Sequence, residues 1–266
     1  MDMTRLSTCT IPLRDKDIDY ALGVLAEAGF NKADVWGRMP HFSEDQGLCD
    51  WPALRQLSAD AGVAVANLGT YPGQFFTAET ENQRRAEMGK MQATIEAAAY
   101  LGARSIRVMP GRGEDAAIVE AITPYFIEAA AYAAERGVYL GMENHAGSIA
   151  GNPQLALTLC LNVNSSYFGV LYEPCNLMHG GVDYKAALDV FGDWITHCHI
   201  KDGAIKDGEF HKTHLGEGDV DLVWVVEQLD ASGYRGDYAL EYELPEVEAP
   251  ETGIRRWYEA FVAAFA

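Results

Sequence analysis

Leu6-Ser7-Thr8-Cys9-Thr10-Ile11-Pro12-Leu13-Arg14-Asp15 is the stretch on which the fold turns. Its first six residues form a short run of apolar and β-branched types, the pattern of a buried strand. The run gives way to Pro12-Leu13-Arg14-Asp15, not to the Gly-x-Gly-x-x-Gly turn with which an open nucleotide-binding sheet receives a pyrophosphate. Gly111-Arg112-Gly113, after Pro110, is too weak a glycine run to take that part.

Working outward, strand-like runs recur at 6–11, 32–36, 63–68, 105–109, 139–143, 168–171, 195–200 and 238–242, with helical stretches between them. Eight parallel strands joined by right-handed crossovers either close into a barrel or lie open as a doubly wound sheet. Periodicity does not separate these, and the missing nucleotide turn favours closure: an α/β fold, a (β/α)₈ barrel of parallel strands.

The clearest helix is expected over 79–102, where Ala-, Glu- and Met-rich sequence runs into Gly102 as a C-cap. The next, over 115–137, contains Pro124, which predicts a kink or a break because an interior proline costs about 3 kcal/mol. Ala28-Gly29-Phe30 and Ser232-Gly233-Tyr234 read as helix-to-strand turns with glycine in the left-handed position.

Regular alternation throughout argues against a linker, so residues 1–266 are read as one barrel domain; about 250 residues is a common size for such a unit. With 39 acidic residues against 20 basic ones, the formal charge is −19. That field repels polyanions, which excludes nucleic acid and anionic membrane as expected partners. Cys9, Cys49, Cys160, Cys175 and Cys198 show no Cys-x-x-Cys pair and no framework spacing, which fits a reducing compartment and predicts a cytoplasmic protein. The N-terminal residues lack a signal-peptide pattern, and no apolar run approaches the roughly 18 residues of a membrane span.

In a barrel the chemistry gathers at the C-terminal ends of the strands. Four of these ends are polar where a core would not choose polarity: Gly141-Met142-Glu143-Asn144-His145, Leu171-Tyr172-Glu173-Pro174-Cys175-Asn176, His197-Cys198-His199-Ile200-Lys201-Asp202 and Leu240-Glu241-Tyr242-Glu243. Each sets a carboxylate or imidazole after an apolar stretch, where desolvation is expensive unless a positive charge compensates. One bound cation is the economical compensator. Three carboxylates and one imidazole suit Mn²⁺, Mg²⁺ or Co²⁺ better than Zn²⁺, which the set also admits.

Glu-Asn-His, then carboxylate-Pro-x-Asn, His-x-His-x-Lys-Asp, Gly-Glu-Gly-Asp-Val-Asp and a final Glu-x-Glu succeed one another in an order that resembles the xylose isomerase-like barrel superfamily of sugar isomerases, epimerases and dehydratases. Ala28-Gly29-Phe30 with Val35-Trp36-Gly37 resembles that family's first βαβ unit. The resemblance implies Glu143, Glu173, His199 and Glu241 as metal ligands, with Glu143 and Glu241 also the catalytic acid–base pair on opposite faces of the substrate. Two departures stand out. The second ligand is usually Asp, so Glu173 must displace the metal or bend its loop; and Asn176 stands where several sugar epimerases carry a substrate-binding His.

The activity so implied is a metal-dependent isomerase or epimerase that removes a proton beside the carbonyl of a ketose or similar polyhydroxy ketone, through an enediolate. A keto-polyol dehydratase shares that first step and is the alternative. The expected partner is a small sugar or polyol, with self-association common in the superfamily. Substrate contacts are expected from His41, Trp36, Arg107 and Tyr71 on the early loops, with Lys201, His145 and Asn176 nearer the metal. His197, two residues before His199 on the same side of its strand, reads as a barrel-core or supporting histidine. His211 and His214 fall in a polar loop, and Glu243 reads as a rim or supporting residue. A non-catalytic sugar- or metal-binding barrel is disfavoured by the intact glutamate pair. An abasic-site endonuclease is disfavoured by Asn176, by the lack of an Asp-x-His pair in Phe210-His211-Lys212-Thr213-His214, and by the charge.

Overall fold

The computed structural model describes residues 1–265. Eight strands close into a barrel: β1 (Leu6–Cys9), β2 (Lys32–Trp36), β3 (Ala64–Gly69), β4 (Ser105–Val108), β5 (Tyr139–Glu143), β6 (Phe168–Tyr172), β7 (Ile195–Ile200) and, beyond the separate strands β8 (Asp202–Lys206) and β9 (Glu209–Thr213), β10 (Tyr238–Leu240). Every neighbouring pair in the barrel is parallel, and β1 completes the circle by pairing Ser7 with Ala239 of β10. The eight expected strands are all present, and the fold is the (β/α)₈ barrel.

Helices α1 (Ile18–Ala28), α2 (Trp51–Ala61), α3 (Glu81–Leu101), α4 (Ala117–Ala134) and α5 (Pro153–Val163) follow the first five strands in turn. After β6 come a short helix, α6 (Pro174–His179), and α7 (Tyr184–Phe191); α8 (Leu222–Ser232) precedes β10, and α9 (Pro250–Ala264) comes after it. Thr80 and Gln83 cap α3 reciprocally, and Gly102 ends it at φ +80°. Gly29 and Gly233 likewise take left-handed conformations at +106° and +88°, as the two turn motifs predicted.

Pro124 does not divide its helix: α4 is a single element with Pro124 inside. The compensation is packing. Ile122, Phe126, Ala129 and Ala130 on its inner face are all buried, and Phe126 lies against both Phe76 and Phe168. Burying one such aromatic contributes about 1.5–3 kcal/mol, which offsets the roughly 3 kcal/mol cost of the proline.

Between β7 and α8 the strands β8 and β9 form an antiparallel hairpin, where the sequence predicts only a polar loop. Its turn is Asp207-Gly208, both at positive φ (54° and 82°), the combination that a tight two-residue hairpin demands. Asp202 anchors the hairpin, its carboxylate accepting backbone N–H groups from Gly203, Gly216, Gly218 and Val220. A Cβ on Gly218 would collide with Asp202 and with the Gly203 carbonyl, so the Gly216-Glu217-Gly218 run closes around the Asp202 carboxylate. All five cysteines are buried free thiols. No helix among the described residues is long and apolar enough to cross a membrane.

Candidate metal centre

Glu143 closes β5, His199 lies near the end of β7 and Glu241 comes directly after β10, so barrel closure brings three distant residues to one mouth. All three are buried, and one ligand atom from each lies within 4.8 Å of the others. His199 Nδ1 stands 3.6 Å from Glu143 Oε1 and 3.8 Å from Glu241 Oε2. Neither separation is a hydrogen bond, and Nδ1 has no hydrogen-bond partner among the described residues. A buried imidazole nitrogen turned toward two carboxylates without touching either is the arrangement that a cation between them satisfies.

The other ring nitrogen explains the orientation. His199 Nε2 lies 3.1 Å from Asp34 Oδ2, and a proton held there leaves the Nδ1 lone pair facing the glutamates. Asp34, buried on β2, also takes His197 Nε2 at 2.7 Å, Asn67 Nδ2 at 3.0 Å and the Ser7 hydroxyl at 3.2 Å. Burial opposes its charge, yet the imidazoles of His197 and His199 hold its carboxyl far below the usual range. His197 is thus a partner of Asp34 and sits one layer below the three-residue cluster. In the metal-free protein burial lowers the His199 pKa, but Cys9, Asp34 and Glu143 beside it prevail and raise it well above the ordinary value. A proton and a metal therefore compete for Nδ1.

Each glutamate of the cluster has its own cation. Burial opposes ionisation of Glu143, but Arg107 donates Nη1 to Oε2 at 2.9 Å and holds the carboxyl well below its usual range. Arg107 is itself fixed by the Thr70 and Gly69 carbonyls and lies over the Tyr71 ring at 4.4 Å. Glu241, likewise buried, accepts from Lys201 Nζ at 2.8 Å, and Lys201 and His199 lower its pKa.

Glu173 is placed differently. Its carboxylate turns onto the start of α6, Oε1 accepting from Cys175 N at 3.0 Å and Oε2 from Asn176 N at 2.5 Å. The cation beside it is Lys201, 3.7 Å away. Burial pushes its carboxyl up to about 8. The structure therefore gathers three of the four ligands that the resemblance implied, and the longer side chain of Glu173 caps a helix across Lys201 from Glu241. Asn144 fixes that strand end, exchanging two hydrogen bonds with the Glu173 backbone.

The expected substrate contacts divide as well. His41 is buried with both ring nitrogens engaged, by Thr10 Oγ1 and by the Leu13 and Lys16 carbonyls, and it pins the loop after β1. Trp36, half-buried at the end of β2, donates its indole N–H to the Tyr71 hydroxyl at 3.1 Å. His145, Asn176 and Lys201 line a common pocket of about 180 Å³ beside the cluster, whose opposite wall is the β8–β9 hairpin. Sequence reading missed Asp34 and the hairpin's Phe210, which stacks on His179. An acidic residue set between the apolar Ala33 and Val35, inside the strand Lys32-Ala33-Asp34-Val35-Trp36, was the available signal for the first.

Residues 22–260 match the xylose isomerase-like TIM barrel family, and the chain belongs to that family. An L-ribulose-5-phosphate 3-epimerase of Escherichia coli is 26% identical over 85% of this chain and 69% of its own length. An inosose dehydratase of Geobacillus thermodenitrificans is 28% identical, over 42% of this chain and 42% of its own length, so the match spans less than half of that relative. Among solved structures, the IOLI protein, determined with a bound zinc atom, superposes with a TM-score of 0.81 at 17% identity, covering 98% of this chain and 97% of that one. The last likeness is one of fold.

Proposed function

We propose that the chain is a divalent-metal-dependent isomerase or epimerase acting on a ketose or related small polyhydroxy ketone. One observation carries this reading: His199 Nδ1, buried and unpartnered among the described residues, faces Glu143 and Glu241 at 3.6 and 3.8 Å. Glu143, His199 and Glu241 would hold the ion, and the oxygen–nitrogen set suits Mn²⁺, Mg²⁺ or Co²⁺, with Zn²⁺ also accommodated. When bound, the ion supplies Lewis-acid polarisation of the substrate carbonyl.

The protein's own groups supply the proton movements. One glutamate of the pair removes the proton from the carbon beside the carbonyl, and the other returns a proton to the opposite face, inverting that centre. Return to the neighbouring carbon would give isomerisation. Arg107 and Lys201 hold the two carboxylates ionised and oriented, since each glutamate accepts a charge-assisted hydrogen bond of 2.8–2.9 Å. Asp34 keeps the His199 ring in one orientation through Nε2. The five buried thiols support placement in a reducing compartment such as the cytoplasm.

Dehydration is a second reading, and Lys201 favours it. Its ammonium lines the pocket 2.8 Å from Glu241, where it would donate a proton to a departing β-hydroxyl. Incubation in D₂O with Mn²⁺ and a panel of ketoses and inososes tests both. Exchange of the C–H beside the carbonyl, abolished in Glu241→Gln, is expected; ketone binding without exchange overturns the proposal. A conjugated enone absorbance with loss of water assigns dehydration, and a saturated product that keeps all its oxygens and is heavier only by the deuterium taken up assigns epimerisation or isomerisation.

A further inference from the structure

The pocket beside Lys201 is built from neutral hydrogen-bonding groups and charges that are already matched. Asn176 and Thr213 are among its lining residues, and Asn176 Nδ2 and Thr213 Oγ1 are buried with no hydrogen-bond partner among the described residues. Such atoms are costly unless a bound group meets them, and both can donate to a hydroxyl oxygen.

The cations of the same walls are committed. Lys201 and Lys212 each lie 3.2 Å from the same oxygen of Glu243, and Lys201 is also bound to Glu241. Asp202 gives its carboxylate to four backbone N–H groups. A phosphate entering here would meet cations already paired and would face the Glu243 carboxylate, a like-charge contact of the kind that rejects a ligand. Aromatic rings and apolar side chains complete the lining: Phe210 stacks on His179 with ring centres 4.2 Å apart, and the buried Trp257 also lines the pocket. Such faces suit the C–H side of a polyol.

We propose that this pocket receives the end of the substrate remote from the metal, and that the substrate is an unphosphorylated polyhydroxy ketone whose hydroxyls accept from Asn176 and Thr213. The inference rests on the proposed function and narrows it. It separates this chain from the ketose phosphate for which the Escherichia coli relative is named.

The test compares C–H exchange in D₂O, with Mn²⁺ present, for L-ribulose, L-ribulose 5-phosphate and an inosose. A neutral ketone is expected to exceed the phosphorylated one in kcat/KM by about 100-fold, the scale of one unmatched charge in a closed site. Asn176→Ala and Thr213→Val should each raise KM by about 10-fold with kcat retained, as the loss of one hydrogen bond to substrate predicts. Preference for the phosphate overturns the inference and leaves the proposed function standing; so do variants with unchanged KM. If that preference disappears in Arg38→Ala, the remote end lies on the opposite rim, where Arg38 stacks on Tyr71 at 4.5 Å. Exchange with none of the ketones overturns both proposals.

Discussion

His199 offers its two ring nitrogens to opposite sides, Nε2 to Asp34 at 3.1 Å and Nδ1 toward the two glutamates at 3.6 and 3.8 Å. Asp34 therefore decides which nitrogen is free for a metal. Asp34→Asn should weaken metal binding by about 10–100-fold, the usual effect of losing a ligand's outer partner. Calorimetric titration of the metal-free protein measures it, and unchanged affinity would show that the imidazole is oriented by packing alone.

Arg107 and Glu143 form a buried pair at 2.9 Å, with Arg107 only 8% exposed. Removing one member of such a pair costs about 3–5 kcal/mol because the other charge stays buried and unmatched. Arg107→Met should show that loss in urea denaturation of the metal-free protein. A saturating metal should recover part of it, because the ion supplies Glu143 with a replacement charge. Equal losses with and without metal would contradict a cation at Glu143.

Chelation provides a third prediction. Adding metal at about 100 times its dissociation constant should stabilise the protein by about 2.7 kcal/mol, and a chelator should remove that increment together with exchange activity. Since a proton competes for His199 Nδ1, whose pKa is raised, affinity should fall as the pH is lowered. Fluorimetric melting across a metal and pH series reads both effects.

Glu173 predicts the pH response of the metal-free protein. Burial raises its carboxyl to about 8, above the usual Glu value near 4.5, so the folded state favours the protonated form. Its contribution to stability is complete below about pH 4.5 and is lost as the pH climbs through about 8. Glu173→Gln, neutral throughout, should lose less of its melting temperature between pH 5 and 8.5 than the parent. A parallel decline in the two proteins would refute the assignment.

The barrel was legible because each strand advertises itself locally: Tyr139-Leu140-Gly141-Met142-Glu143 has the same bounds in sequence and structure, and the missing glycine turn after β1 correctly favoured closure. The glutamates and His199 were legible because polar residues at buried strand ends need compensation. Glu173 was not, since its choice between a cation and the N–H groups of α6 depends on a loop angle that no spacing records. His41 points to substrate by loop position alone, whereas Thr10 and the carbonyls of Leu13 and Lys16 occupy its nitrogens. The hairpin carried a readable signal in Asp207-Gly208, masked by the polarity of its strands. Pro124 leaves α4 undivided because the burial of Phe126 is a tertiary gain invisible to a local rule.

Anomalous diffraction from crystals soaked in Zn²⁺ tests the centre most directly. One peak is predicted within roughly 2.0–2.2 Å of His199 Nδ1 and of an oxygen from each of Glu143 and Glu241. Binding at other residues, or an empty mouth at saturating zinc, would contradict it.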